Sequence, residues 1–131
     1  MCNCLVPSNF SICDGSEALA LIKKCVATVC QSTFSDPISI PLKYIATIIS
    51  KAKNECQSPE DYERRNDPSN RTTAFVAAVY RLYDRKKQEG NLLDFDDMLY
   101  CVAHLLTNFN EVRQIISENI QYLLVDEMQD T

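Results

Sequence analysis

At 131 residues, 46% apolar and 24% charged, the chain is about one domain long and can bury roughly two-thirds of the surface its unfolded form exposes, which excludes wholesale disorder and a coiled-coil rod. Two glycines are too few for the turns of a β-sandwich or barrel, so a mainly α fold is expected. The net charge of −5 denies the chain the positive field that gives non-specific affinity for phosphate backbones.

From the N-terminus, the first pattern is Asp14-Gly15-Ser16-Glu17, which has capping-box spacing. It opens a helix whose Ala18, Leu19, Ile22, Cys25, Val26 and Val29 form one apolar stripe through about Cys30. Residues 31–41 contain Asp36-Pro37 and Ile40-Pro41 and read as a loop. Pro41 suits the first turn of a second helix running to about Glu55, with Leu42, Ile45, Ile48, Ile49 and Ala52 inward. The polar stretch 57–70 is a mixture of loop and short helix.

A long third helix is predicted from about Asn70 to Glu89, with Gly90 as a left-handed cap. Phe75, Val76, Val79, Leu82 and Tyr83 share one side of it, and Arg71, Arg81 and Arg85 the other. Asp94 caps a fourth helix, with Asp97 at its third position and Met98, Leu99, Val102, Leu105 and Leu106 as its core face. Asn110 caps a fifth, with Val112, Ile115, Ile116 and Ile120 inward.

The pattern then changes. Tyr122-Leu123-Leu124-Val125 is a continuous apolar run of the kind found in a strand buried on both faces of a parallel sheet. No second strand accompanies it, and a lone strand cannot satisfy its own backbone hydrogen bonds. The expected architecture is therefore a five-helix subdomain over residues 1–119, followed at 120–131 by one strand of an incomplete α/β core.

An apolar strand ending in Asp126-Glu127 can deliver two carboxylates to the edge of a parallel sheet, where such folds bind ligands. Paired acids of this kind hold Mg²⁺ and orient or deprotonate a water, although strands also end in acids simply for solubility. The full string Leu123-Leu124-Val125-Asp126-Glu127-Met128-Gln129-Asp130-Thr131 resembles motif II of the UvrD/Rep/PcrA helicases, usually VDE-aromatic-QDT. Asn9 to Asp14, Pro41 to Glu55, Ser58 to Tyr62, Val79 to Tyr83 and Leu93 to Leu99 are similar to further segments of that family, in the family's order.

The resemblance implies an accessory 1B-like helical subdomain leading to the Walker B strand of a RecA-like motor that moves on single-stranded DNA and separates duplex. It implies that Asp126 coordinates the magnesium of MgATP and that Glu127 is the catalytic base. Gln129 and Asp130 would couple the nucleotide site to neighbouring motifs and to DNA. Met128 stands where an aromatic residue is usual, a change that touches packing more than chemistry.

Neither a G-x-x-x-x-G-K-[ST] loop nor a later arginine-finger motif occurs, so the chain is expected to be an excerpt of a longer helicase and not to hydrolyse ATP alone. Its expected partners are the missing helicase domains and single-stranded and junction DNA. Seven of the 13 basic residues lie between Arg64 and Lys87, which makes Arg71, Arg81 and Arg85 the candidate DNA contacts. A solvated charged face is the competing reading. A stand-alone helical interaction or DNA-binding module without ATPase activity is the rival class.

Cys2-x-Cys4 with Cys13 lacks zinc-site spacing, and the single His104 has no nucleophile nearby in sequence. Seven cysteines without a signal-peptide pattern fit reduced thiols in the cytoplasm. The apolar runs fall short of the roughly 20 residues that a membrane span needs.

Overall fold

The computed structural model describes residues 9–32 and 40–128. In chain order these form β1 (Ser11–Ile12), α1 (Gly15–Ser32), α2 (Leu42–Asn54), α3 (Pro59–Arg65), α4 (Arg71–Glu89), β2 (Leu92–Leu93), α5 (Phe95–Asn108) and α6 (Asn110–Asn119). The chain divides into two compact units, 1–100 and 101–131, and the division falls inside α5.

Local chemistry sets the helix starts. Asp14 Oδ1 accepts from the Ser16 and Glu17 amides while Glu17 Oε2 accepts from the Asp14 amide, the reciprocal pair anticipated from the sequence. Pro41 stands one residue earlier than expected, as the N-cap of α2. Within the polar stretch 57–70, Ser58 and Asp61 form a second capping box with Pro59 at the first helical position, enough to nucleate the two-turn α3. The mainly helical class holds, with six helices among the described residues where five were expected. The anticipated loop at 31–41 falls largely outside the described residues.

The first unit is built around α4, against which α1, α2 and α3 all pack. Ile22, Cys25 and Val29 of α1, Ile45 and Ile49 of α2, and Phe75, Val79, Leu82 and Tyr83 of α4 form one continuous core. Tyr80 reaches past it to donate a buried hydrogen bond to the Gln57 carbonyl at 2.9 Å, tying α4 to the connection between α2 and α3.

The expected cap at the end of α4 is corrected. Gly90 has φ −91°, and the left-handed residue is Asn91 with φ 51°. A Cβ on Gly90 would lie 3.3 Å from the Leu92 side chain, so a small residue here allows the chain to turn tightly into β2. That strand pairs in parallel with β1, in the register Ser11 to Leu92 and Ile12 to Leu93. Two-residue strands are too short to show a hydrophobic period, which is why neither was anticipated from the sequence.

The second unit differs in kind. None of its described residues is fully buried. Val102, Leu105, Ile115, Ile116 and Ile120, expected to face a core, are all exposed, as is Leu99 just before the division. Asn110 is the first residue of α6, and Phe109 is its N-cap.

The predicted strand at 122–125 is absent: the segment is irregular, with Tyr122 88% and Leu124 95% exposed. The reason is elementary, because among the described residues no neighbouring strand offers it hydrogen bonds.

The core of the first unit makes a direct prediction. Phe75 is fully buried, and Phe75→Ala is expected to lower stability by about 3–5 kcal/mol, measured as a shift in the urea midpoint followed by helical circular dichroism.

Candidate functional site

Three groups of residues bear on chemistry. The first is the acidic pair. Asp126 and Glu127 are both exposed, and the Glu127 amide donates to Asp126 Oδ1 at 2.8 Å while Glu127 takes a φ of 50°. Gln129 and Asp130 lie outside the described residues. Hard carboxylate oxygens suit Mg²⁺, which keeps several waters and is bound through one or two carboxylates together with substrate phosphates. No group of three or more His, Cys, Asp or Glu side chains that could hold a metal ion occurs among the described residues. The carboxylate oxygens of Asp126 and Glu127 are of the donor type that suits that ion.

The second group is the basic back of α4. Arg81 Nε donates to Glu60 Oε1 at 2.9 Å and its NH2 group to Glu63 Oε2 at 3.1 Å, so this arginine straps α3 to α4. Hydrogen bonding to Arg81 holds the Glu60 carboxyl below its ordinary value. Arg85 is exposed, as is Arg71 in the first turn of α4. A cation in that first turn opposes the helix dipole at a small cost.

The third group was not anticipated. Lys53, in the last turn of α2, and Lys87, in the last turn of α4, are 4% and 2% exposed. Lys53 Nζ donates to Asp94 Oδ2 and Asp97 Oδ1, each at 2.7 Å. Lys87 Nζ donates to the same Asp94 oxygen at 2.9 Å and also to Asp97 Oδ2. Tyr83 OH donates to Asp94 Oδ2 at 2.8 Å, and the Tyr83 ring lies 5.1 Å and 4.5 Å from the two ammonium groups.

Asp94 and Asp97 also close a capping box on each other's amides, which confirms Asp94 as the cap of α5. The signal for the two lysines was present in the sequence. Lys53 continues the Ile45, Ile49 stripe and Lys87 the Val76, Tyr80, Tyr83 stripe, so both cations sit in register with buried faces.

Electrostatics in this cluster follow from burial against pairing. Burial pushes the Asp94 carboxyl up, but Lys53 and Lys87 outweigh it and hold the group well below the usual carboxylate range. Burial pushes Lys87 down, and Asp84, Asp97 and Asp94 together reverse that and raise it. At Asp84 burial wins over both lysines and the carboxyl is raised. Burial and then the charge of Asp94 push the Tyr83 phenol up.

The order of segments, from the N-terminal capping box through Leu93-Asp94-Phe95-Asp96-Asp97 to Val125-Asp126-Glu127, is matched along nearly its whole length by one family model, that of the UvrD/REP helicase N-terminal domain, over residues 4–131. The chain belongs to this family. It is similar to the ATP-dependent DNA helicase Rep of Escherichia coli, 32% identical over 124 residues that make up 95% of this chain and 17% of that protein. Rep of Salmonella typhimurium gives the same figures. The ATP-dependent DNA helicase PcrA of Bacillus subtilis is 32% identical over 123 residues, 94% of this chain and 16% of that relative. The chain therefore spans about a sixth of the length of the curated relatives it matches. No helix among the described residues is long and apolar enough to cross a membrane.

The buried cluster leads to a pH prediction. Because the folded-state value of Asp94 is depressed, its stabilising contribution is complete above the unfolded value near ~3.9 and is lost as pH falls through the folded value. Asp94→Asn is expected to cost about 3–5 kcal/mol at pH 7 and to flatten the acid limb of the stability curve, measured by urea unfolding across the acid range.

Proposed function

We propose that this chain is part of an ATP-dependent DNA helicase that couples ATP hydrolysis to movement along single-stranded DNA and to duplex separation. The observation that carries the reading is the family match over residues 4–131 together with the Asp126-Glu127 pair inside the motif II string. Residues 1–119 serve as the accessory helical part. Residues 120–131 become a strand of the motor sheet once neighbouring strands supply their backbone hydrogen bonds.

In this reading Asp126 holds Mg²⁺ through its carboxylate, directly or through water, and Glu127 accepts the proton of the attacking water. ATP with its magnesium supplies the electrophilic phosphoryl group. Gln129 and Asp130 link the nucleotide site to the DNA-binding surfaces. The polypeptide alone, with no phosphate-binding glycine loop in its sequence, does not turn over ATP. Activity depends on further helicase domains, and the assembled enzyme works in the cytoplasm.

Glu127→Gln keeps the size and hydrogen bonding of the side chain but removes the base. In the full-length gene product it is expected to reduce DNA-stimulated ATP turnover by a factor on the order of 10²–10⁴, read as phosphate release. Turnover at the unsubstituted rate rejects the proposal.

Arg71, Arg81 and Arg85 are the proposed DNA contacts on the helical part, with Arg81 ranked behind Arg85 because Glu60 and Glu63 already occupy its guanidinium. Arg85→Ala is expected to weaken binding of single-stranded DNA and to reduce the slope of log affinity against log salt by ~1. Arg81→Ala is expected to loosen α3 and to reduce that slope by less than Arg85→Ala does.

A further inference from the structure

The ionic junction inside the first unit holds more carboxylates than cations. Lys53 of α2 and Lys87 of α4 pair with Asp94 and Asp97 at the start of α5. Both lysines also face Asp84 of α4, whose Oδ1 lies 3.7 Å from Lys53 Nζ and 3.4 Å from Lys87 Nζ. The other titratable side chains of the cluster are Tyr83 on α4, which donates to Asp94, and Cys13 after β1, which feels the charges of Asp94 and Lys87. Burial raises both the phenol and the thiol, so they stay uncharged through the acid and neutral range. Two positive charges therefore meet three negative ones, all within residues 1–100.

The three carboxylates are not equally served. Asp94 Oδ2 accepts from Lys53, Lys87 and Tyr83, and its Oδ1 accepts from the Asp97 amide. Asp97 accepts from both lysines and from the Asp94 amide. Asp84 Oδ1 is buried and accepts no hydrogen bond, and its two lysine contacts are longer than any that Asp94 and Asp97 make with the same lysines. Hydrogen bonds to the charged form keep a carboxylate ionised, whereas burial drives it toward the neutral form, so Asp84 is the most weakly held anion of the three. Its side chain keeps 24% of its exposure, which leaves a path for a proton without unfolding.

We propose that Asp84 is the proton-binding site of this junction: as pH falls it is the first of the three carboxyls to be protonated, which takes the cluster from one surplus negative charge to neutrality while Asp94 and Asp97 keep both lysines. A neutral carboxyl retains a bare oxygen, so Oδ1 goes on facing the two ammonium groups while the proton sits on the other oxygen. Asp84 and Asp94 then act on stability in opposite senses. The folded-state value of Asp84 is raised, by burial above all, so its stabilising contribution is complete below the unfolded value near ~3.9 and is lost as pH rises through the folded value. The depressed Asp94 loses its contribution as pH falls. Together they give the first unit a stability optimum on the acid side of neutrality, bounded below by the loss of a lysine partner and above by a surplus charge in a buried site.

Carbon-13 NMR of the aspartate carboxyls in the 131-residue chain tests the assignment without any need for activity, the Asp84 resonance being identified by its absence from Asp84→Asn. That resonance is expected to titrate with a midpoint above the ordinary aspartate value near ~3.9, and a midpoint at or below that value overturns the proposal. Urea unfolding of the unsubstituted chain and of Asp84→Asn across the acid to neutral range gives a second readout, in which the groups common to both cancel. The Asn variant is expected to gain on the unsubstituted chain as pH rises toward the Asp84 value, the ratio of their folding constants growing by up to about tenfold per pH unit, the limit for one proton. A ratio that does not change with pH overturns the proposal, because Asp84 then binds its proton alike in the folded and unfolded chain. A ratio that moves in favour of the unsubstituted chain also overturns it, because pairing with the two lysines then outweighs burial at Asp84.

Discussion

Two lysine ammonium groups withdrawn from water are the constraint on which the first unit depends. Each such ion costs several kcal/mol to desolvate, and only close carboxylates with good geometry offset that cost. The fold supplies them by bringing three helix ends to one place. Lys53 and Lys87 lie in the last turns of α2 and α4, where the unpaired carbonyls favour cations, and Asp94 and Asp97 lie at the start of α5, where the free amides favour anions. The macrodipoles therefore act in the same direction as the ion pairs. The Tyr83 ring beside both cations and its hydroxyl on Asp94 complete the set.

Much of the local geometry follows from that meeting point. Because Asp94 must reach Lys53 and Lys87, the chain leaving α4 has to turn within a few residues, which Gly90 and the left-handed Asn91 permit. The same turn places Leu92 and Leu93 beside Ser11 and Ile12, so β1 and β2 pair over two residues and the strand before α1 is brought to the start of α5. The apolar core of α1, α2 and α4 and the ionic junction are thus adjacent parts of one body. The first supplies most of the buried surface, and the second decides where α5 starts.

The acid pair stands in a contrasting environment. Asp126 and Glu127 are exposed at the end of an irregular, exposed apolar run, whereas the charges of the first unit are buried and mutually satisfied. Burial and pairing mark Asp94 and Asp97 as architectural, whereas on the helicase reading proposed above Asp126 and Glu127 serve an ion and a water. Their spacing in sequence is no guide to the distinction: Asp94 and Asp97, also close in sequence, are saturated by lysines and amides.

Patterns of period 3.6 and side-chain caps were enough to place α1, α2, α4, α5 and α6 to within a few residues, because those signals act within one or two turns. The Val125-Asp126-Glu127 string was equally legible, since a contiguous motif carries its own information. Partners distant in sequence were not legible. Lys53 and Asp97 are 44 positions apart, and no local rule says which buried stripe will end in a cation or which acid will meet it. The strand expected at 122–125 failed for the complementary reason: its apolar residues describe what a strand would be made of, while a strand exists only where a neighbouring backbone completes its hydrogen bonds. The sequence by itself determined the helices and the acidic motif, because both are written in short-range order. Tertiary structure alone decided which charges are buried together, because desolvation and pairing depend on what the folded chain brings within a few ångströms.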